Sequence, residues 1–370
     1  YLKERNATVT AFYVSNVEQY LFQQGDDWFK FYKNVGVLPI DSGSFFIRSL
    51  FSGVSNSPPS PFTRSLSMLS TMAEVVKAKI RHFGQSGNQQ GGMKPGDIYV
   101  TNDAYITGSH LNHITLVVPV FDAGRLVAFS VCMAHWADIG GAINVMTRDI
   151  YSEGLQVPIL KLQSAGKLND DLVAILRMNV RIPERAIGDL HAQIATVKTG
   201  ARRYEQLMAR YGSDAVMTSI AAIMDHSEAL ARKQVASIPD GVYEAESFMD
   251  DDGVEISKRI PIKVRVIVAG DEMTIDLTEV SKQVRGGFNA AATTGYGCSQ
   301  VAYKCLTSPT DYPINEGSFR ALKVKMTPGT VVSAVRPAAM RTWMSFPMTV
   351  ADTILKAMEK AVPERTIAGH

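Results

Sequence analysis

Two hydrophobic periods alternate along this chain. Residues 63–84, TRSLSMLSTMAEVVKAKIRHFG, set Met72, Val75, Val76 and Ile80 on one helical stripe, with Gly84 as a stop. After the polar, glycine-rich SGNQQGGMKPG the period shortens to that of a strand. DIYVTN, HITLVVPVF and LVAFSVCMAHW are three short β-type runs, the last two joined at DAGR as a hairpin. A loop, GGAINVMTRDIYSEG, and the strand-like LQVPILKL follow. In residues 181–212 Ile187, Leu190, Ile194, Val197, Ala201, Tyr204 and Met208 trace one face, while Pro183 suits a first helical turn and Gly212 a stop. A second helix over 215–237 ends before the Pro239–Gly241 turn. The period then returns to two in IPIKVRVIV and MTIDLTEV, a second hairpin turning at GDE. GGFNAAATTGYGCSQVAYKCL enters a helix of small residues, and residues 351–362 resume helical spacing at Ile354, Leu355, Met358 and Val362.

These periods predict a mixed α/β (α+β), multi-lobed protein: a β-hairpin-containing N-terminal part, a central helical pair and a second α/β part. The boundaries read as an aromatic-rich segment over 1–65, an α/β region over 66–175, the helical pair over 176–238 and the second α/β region over 239–370. At 370 residues the chain is long enough for two or three packed lobes, and 46% hydrophobic with 20% charged residues is globular composition. Interspersed charges, 38 basic against 36 acidic, give no reason to expect nucleic acid or an anionic membrane as a partner. Three sparse cysteines, no apolar run of the roughly 20 residues that span a bilayer and no signal-peptide order at the start predict a cytoplasmic protein. The absent initiator Met and the closing helix lead us to expect sequence beyond both ends.

Three of the seven histidines fall in two short stretches, NDAYITGSHLNHIT and AHWADIGG. Imidazole and carboxylate together are a common donor set for zinc, manganese and iron. His110 and His113 stand at the entrance of one strand of the hairpin; His135 and Asp138 stand at the exit of the other. The turn therefore brings both pairs to one edge, where His110, His113, His135 and Asp138 could hold one metal and Asp103 could orient a ligand. The plainer reading is that strand-end histidines are simply solvated. His191 reads as a packing residue beside the helical stripe, and His82 and His226 as surface helix residues. Cys132 lies mid-strand and reads as core rather than as a nucleophile. MDDDG at 249–253 reads as a solvated turn between two strands. There is no G-x-x-x-x-G-K-[ST], no G-x-G-x-x-G after a strand and no G-x-S-x-G, so no cofactor-binding cradle for a nucleotide and no nucleophile elbow.

GDIYVTNDAYITGSHLNHITLVVPVF followed by AHWADIGG resembles the B-type subunit of the hydantoinase/oxoprolinase family, which includes the metal-bearing subunits of ATP-dependent acetone and acetophenone carboxylases. The resemblance continues through DIYSEGLQVPILKL, NVRIPERAIGDLHAQIA and GGFNAAATTGYGCSQVAYKCL, covers most of residues 66–370 and implies a C-terminal portion beyond residue 370. Its metal patterns, H-x-x-D and H-x-x-D-x-G-G, fall on His110, position 113 and His135, with Asp138, Gly140 and Gly141 retained. The chain departs from the family at three places: His113 replaces the usual aspartate, Ala104 the customary proline, and Phe45 an acidic residue that some members supply. Imidazole in place of a carboxylate removes one negative charge and so favours zinc over manganese.

The resemblance implies a divalent metal here, with Asp138 as ligand or orienter and Asp103 as a candidate general base. It implies ATP and Mg on an A-type partner of the actin-like ATPase superfamily, in a hetero-oligomer. The expected activity is ATP-dependent hydrolysis of a cyclic amide or hydantoin, a small carbonyl substrate, through a phosphorylated intermediate. Two alternatives stay open: a ketone carboxylase of the acetone or acetophenone type, and a non-catalytic structural subunit with a vestigial site.

Overall fold

The computed structural model describes residues 11–14, 45–48, 74–80, 92–143, 146–307 and 314–366. The chain divides into two compact units, 1–64 and 65–370. In the first, β1 (Ala11–Val14) and β2 (Phe45–Arg48) pair in parallel. The side chain of Phe45, like His82, lies outside the described residues.

The second unit holds two sheets. One is antiparallel, of order β5-β4-β3-β6-β7, built from β3 (Ile98–Thr101), β4 (His113–Asp122), β5 (Arg125–His135), β6 (Leu160–Ser164) and β7 (Lys167–Leu168). Strand β4 is buried from His113 to Val120 because both its faces are covered, which is why its sequence is an unbroken apolar run rather than an alternating one. On one face Ile114, Leu116, Val118 and Val120 join the core that also takes in Ile187, Leu190, Val197 and Ala201 of α3 (Pro183–Tyr211); on the other Val117 meets Tyr99 and Val75. Helix α3 is 29 residues long, about 43 Å at 1.5 Å per residue. It follows α2 (Asp170–Asn179) and precedes α4 (Ser213–Val235). His191 is exposed on α3, so the packing expected of it is not made; His226, on α4, is exposed as expected.

The second sheet, β11-β10-β9-β8, comprises β8 (Gly241–Met249), β9 (Ile260–Ala269), β10 (Glu272–Asp276) and β11 (Leu322–Lys325), the last pair parallel. Strict alternation of Ile260, Ile262, Val264, Val266 and Val268 packs one face of β9 against α5 (Ala292–Thr307) and α6 (Ser345–Met358). Ile354, Leu355, Met358 and Val362 bury into that core, which gives the closing helical stripe its partner. The two sheets are not sealed from one another: Ala291, Ala334, Ala338 and Met340 from the C-terminal part pack into the first sheet's core. Residues 65–370 form one compact unit. Among the described residues no helix is long and apolar enough to cross a membrane.

Candidate metal centre

The loop between β3 and β4 is fixed before any histidine is placed. Buried Asn102 donates to the carbonyls of Leu111 (2.8 Å) and Leu155 (2.9 Å) and accepts from Val157 N (2.6 Å). A four-residue helix, α1 (Ala104–Thr107), is capped by Asp103, which accepts from Tyr105 N. Gly108 then turns left-handed at φ 87°. Its carbonyl accepts from Thr294 Oγ1 (2.8 Å) and Ala291 N (3.1 Å), docking the loop on the start of α5. At the other end Gln193 of α3 accepts from Trp136 Nε1 (2.8 Å) and donates to the Ile114 carbonyl (2.9 Å), tying the end of the hairpin to the helix.

This scaffold converges three imidazoles. His113 and His135 are direct partners across β4 and β5, as the hairpin reading requires. Ring centroids lie 4.5 Å apart for His110–His113, 4.9 Å for His110–His135 and 5.4 Å for His113–His135. A zinc ion about 2.1 Å from one nitrogen of each ring would sit roughly 3.2 Å from each centroid, so these spacings correspond to ligand angles of about 90° to 115°. The rings fit one ion on spacing. Among the described residues, however, no group of three or more His, Cys, Asp or Glu is placed to hold a metal ion.

The three differ in surroundings. His113 is buried, with Nδ1 sharing a 2.7 Å hydrogen bond with Ser109 Oγ. His135 is exposed, opening the cluster to solvent. His110 donates from Nδ1 to the Arg341 carbonyl (3.2 Å), while its Nε2 is buried without a hydrogen-bond partner. Burial, and then the neighbouring His135, hold the His110 pKa down at about 3, against the pull of the Arg341 hydrogen bond. The ring therefore stays neutral, with a lone pair available on Nε2, across the ordinary pH range. Trp343 borders the cluster, its ring 6.2 Å from His110 and 5.7 Å from His113.

The two acidic candidates are occupied elsewhere. Asp138 was expected to join the histidines as a fourth ligand or to orient one. Its Oδ1 accepts from Gly140 N (3.1 Å) and the Arg181 guanidinium (2.6 Å), and its Oδ2 from Arg181 N. Burial alone would raise its carboxyl; the Arg181 and Gly140 donors outweigh that and hold it low. These contacts make it a clamp between the glycine loop and the α2–α3 connection. Asp103 caps α1 and pairs with Arg336 at 3.0 Å, which in turn lies over the Tyr105 ring. Cys132 packs against the first core, and burial raises its thiol pKa, which leaves it a core residue. MDDDG links β8 to β9 and is only partly solvated, with Asp250 exposed. Asp252 is buried and accepts from four backbone N–H groups, Val254, Glu255, Arg285 and Gly286. Ser109, Arg341 and Trp343 were not anticipated; the last two reach the cluster from far along the chain, and no local spacing marks them.

The sequence profile of the Hydantoinase B/oxoprolinase family matches residues 62–370. The chain is 33% identical over 288 residues to a putative D-/L-hydantoinase subunit of Pseudomonas sp. (strain NS671), covering 74% of this chain and 49% of that protein. Among solved structures it resembles the ATP-dependent caprolactamase from Pseudomonas jessenii, with a TM-score of 0.75 and 29% identity over 81% of this chain and 51% of that one. It shares the fold of nucleotide-free acetone carboxylase at a TM-score of 0.72 and 18% identity, over 81% of this chain and 41% of that one. The chain spans about half the length of the curated relatives it matches. By its matched residues and its fold, this chain belongs to the hydantoinase B/oxoprolinase family.

Proposed function

We propose that this chain is the metal-bearing B-type subunit of a cytoplasmic, ATP-dependent hetero-oligomer that hydrolyses a cyclic amide or hydantoin, with His110, His113 and His135 holding a divalent metal, zinc over manganese. The observation that carries the reading is the convergence of three imidazoles around the buried, unpartnered Nε2 of His110. It is supported by the hydantoinase subunit and the ATP-dependent caprolactamase that this chain resembles. Three neutral nitrogens suit zinc better than the harder manganese, which favours carboxylate oxygen. When bound, the metal would polarise a carbonyl or phosphorylated oxygen, or lower the pKa of a water.

The chain's own residues do the rest. Nδ1–H of His110, held by the Arg341 carbonyl, leaves the Nε2 lone pair free for a metal; Ser109 Oγ can accept a hydrogen bond from Nδ1–H of His113 in the same way. Exposed His135 marks the side from which substrate enters, and Trp343 borders the rings on another. Asp138 serves this arrangement as the clamp on its loop. ATP, with Mg, belongs to an A-type partner of the actin-like ATPase superfamily, which phosphorylates the substrate; the missing nucleotide motifs fit that division of labour.

Plasma mass spectrometry on the purified complex, with His110→Ala and His135→Ala alongside, tests the assignment. Close to one metal per chain, lost in both variants together with ATP-dependent ring opening, is expected. A complex that opens the ring with no metal bound would overturn it, and a metal-free, inactive complex would leave the vestigial scaffold as the correct reading. Bicarbonate-dependent consumption of a ketone by the metal-loaded complex would instead identify a carboxylase.

A further inference from the structure

Glu153 is fully buried and belongs to no part of the metal cluster. Its Oε1 accepts three hydrogen bonds, each 2.7 Å long: from Thr147 Oγ1, from Met340 N and from Arg341 N. Its Oε2 is buried with no partner. Taking a carboxylate out of water is costly, and the donors at Oε1 only partly offset it, so burial pushes this carboxyl above its ordinary range. A buried acid there calls for a reason beyond packing.

The reason lies one peptide further on. The carbonyl of Arg341, whose amide Glu153 holds, accepts from His110 Nδ1. Thr342 N donates to the Gly287 carbonyl (2.7 Å), and Trp343 edges His110 and His113. Residues 340–343 are thus a strap laid over the histidines and anchored at one end by Glu153 Oε1. Of the buried polar atoms left without partners, three belong to this one neighbourhood: His110 Nε2, Glu153 Oε2 and Thr342 Oγ1. Buried polar atoms are normally satisfied, and orphans gathered at one place mark a site.

We propose that Glu153 is the positioning residue of the histidine cluster. By holding the Met340 and Arg341 amides it presents the Arg341 carbonyl to His110, which keeps the proton on Nδ1 and the lone pair on Nε2. The identity of the tautomer stands on the geometry alone; only its consequence for metal affinity rests on the function proposed above. Glutamine at this position keeps an oxygen that can accept from both amides, so the role predicts that Glu153→Gln preserves the tautomer and Glu153→Ala does not.

The test uses the full chain, labelled with 15N at its seven histidines. Long-range 1H–15N correlation in the metal-free protein at pH 7 reads the His110 tautomer, with His110→Ala to assign the signal, and titration with Co(II) followed by visible absorption reads affinity. Expected is a pure Nδ1–H form in the parent and in Glu153→Gln, and a mixed population in Glu153→Ala. Co(II) affinity should fall about 10- to 100-fold in Glu153→Ala, the range for loss of a group that orients a ligand, and stay within about threefold of the parent in Glu153→Gln. If Glu153→Ala does not fold by far-UV circular dichroism, Glu153→Asp replaces it, because a carboxylate one methylene shorter cannot reach both amides. An unchanged His110 tautomer in Glu153→Ala or Glu153→Asp overturns the proposal, as does a Glu153→Gln variant that loses the tautomer. A parent that binds no Co(II) sinks the metal reading alone, and the ring nitrogens still decide the role of Glu153.

Discussion

A carboxylate in this protein can be read by what its oxygens already hold. Asp252 gives Oδ1 to the amides of Val254 and Glu255 and Oδ2 to those of Arg285 and Gly286. Burial would raise its carboxyl, but the four donors win and its pKa is depressed. Asparagine could serve one pair of amides and would aim its own NH2 at the other. Asp252→Asn should therefore lose about 1–3 kcal/mol of stability at pH 7 by urea unfolding. A depressed folded pKa means that the unfolded chain takes up the proton first as pH falls. The stabilisation is thus full above an unfolded value of about 3.9 and is lost as pH falls through the folded value. The gap between parent and variant should hold from pH 7 to about 4 and narrow below it; a gap that narrows between pH 7 and 5 would show that Asp252 is not the group responsible. Asp138 allows a sharper contrast, because a clamp and a ligand differ in outcome. With its oxygens on Arg181 and Gly140, Asp138→Ala should lower stability by about 1–2 kcal/mol yet keep the metal content of the parent. Loss of metal with an unchanged melting temperature would return Asp138 to the ligand set.

At the scale of elements, what could be read from sequence is what repeats locally. The β4–β5 hairpin was legible because its turn and its apolar runs are adjacent, and the register that sets His113 opposite His135 follows from them. Helix α3 was legible from seven apolar positions at helical spacing. Strand β8 was legible only through the turn that follows it, because glutamates and an exposed Val242 and Phe248 interrupt its alternation; α2 was missed because only Leu172 and Leu176 are buried while Ile175 and Met178 face solvent. Glu153 and Arg341 were illegible for a different reason: their contact joins residues 188 apart, and nothing in either neighbourhood signals the other. The loop carrying His110 depends on such a contact too. A Cβ on Gly108 would stand 2.6 Å from Thr294 Oγ1 and 2.7 Å from Thr294 N, at a backbone angle that side chains resist. Gly108→Ala should cost about 2–4 kcal/mol by adding left-handed strain to overpacking, and it should weaken metal binding by lifting the loop from α5. A variant that melts with the parent would mean that α5 yields to the methyl group.

On the scale of the whole molecule, the site is shared between two stretches that sequence order keeps apart. The β4–β5 edge of the first sheet and the loop before it supply the histidines, whereas the strap that carries the Arg341 carbonyl and Trp343 lies just before α6. Ala334 and Ala338 ahead of that strap and Met340 within it are buried in the first core, while Phe346, Val350 and Ile354 of the following helix are buried in the second. Damage to either core should consequently reach the other. Ile354 is fully buried, and Ile354→Ala should destabilise by about 2–5 kcal/mol through the lost methyl groups and the cavity they leave. Trp136 and Trp343 report on the first core and the strap, and Trp28→Phe removes the remaining tryptophan from the signal. In that background, the urea midpoint from tryptophan fluorescence should shift with Ile354→Ala as far as the midpoint from far-UV circular dichroism. A fluorescence midpoint that stays while the dichroism moves would mean that the first sheet folds without the second. The histidine site would then have to be assembled by docking between two lobes, and its metal affinity would survive damage to the second core; with one cooperative unit, that affinity must fall together with stability.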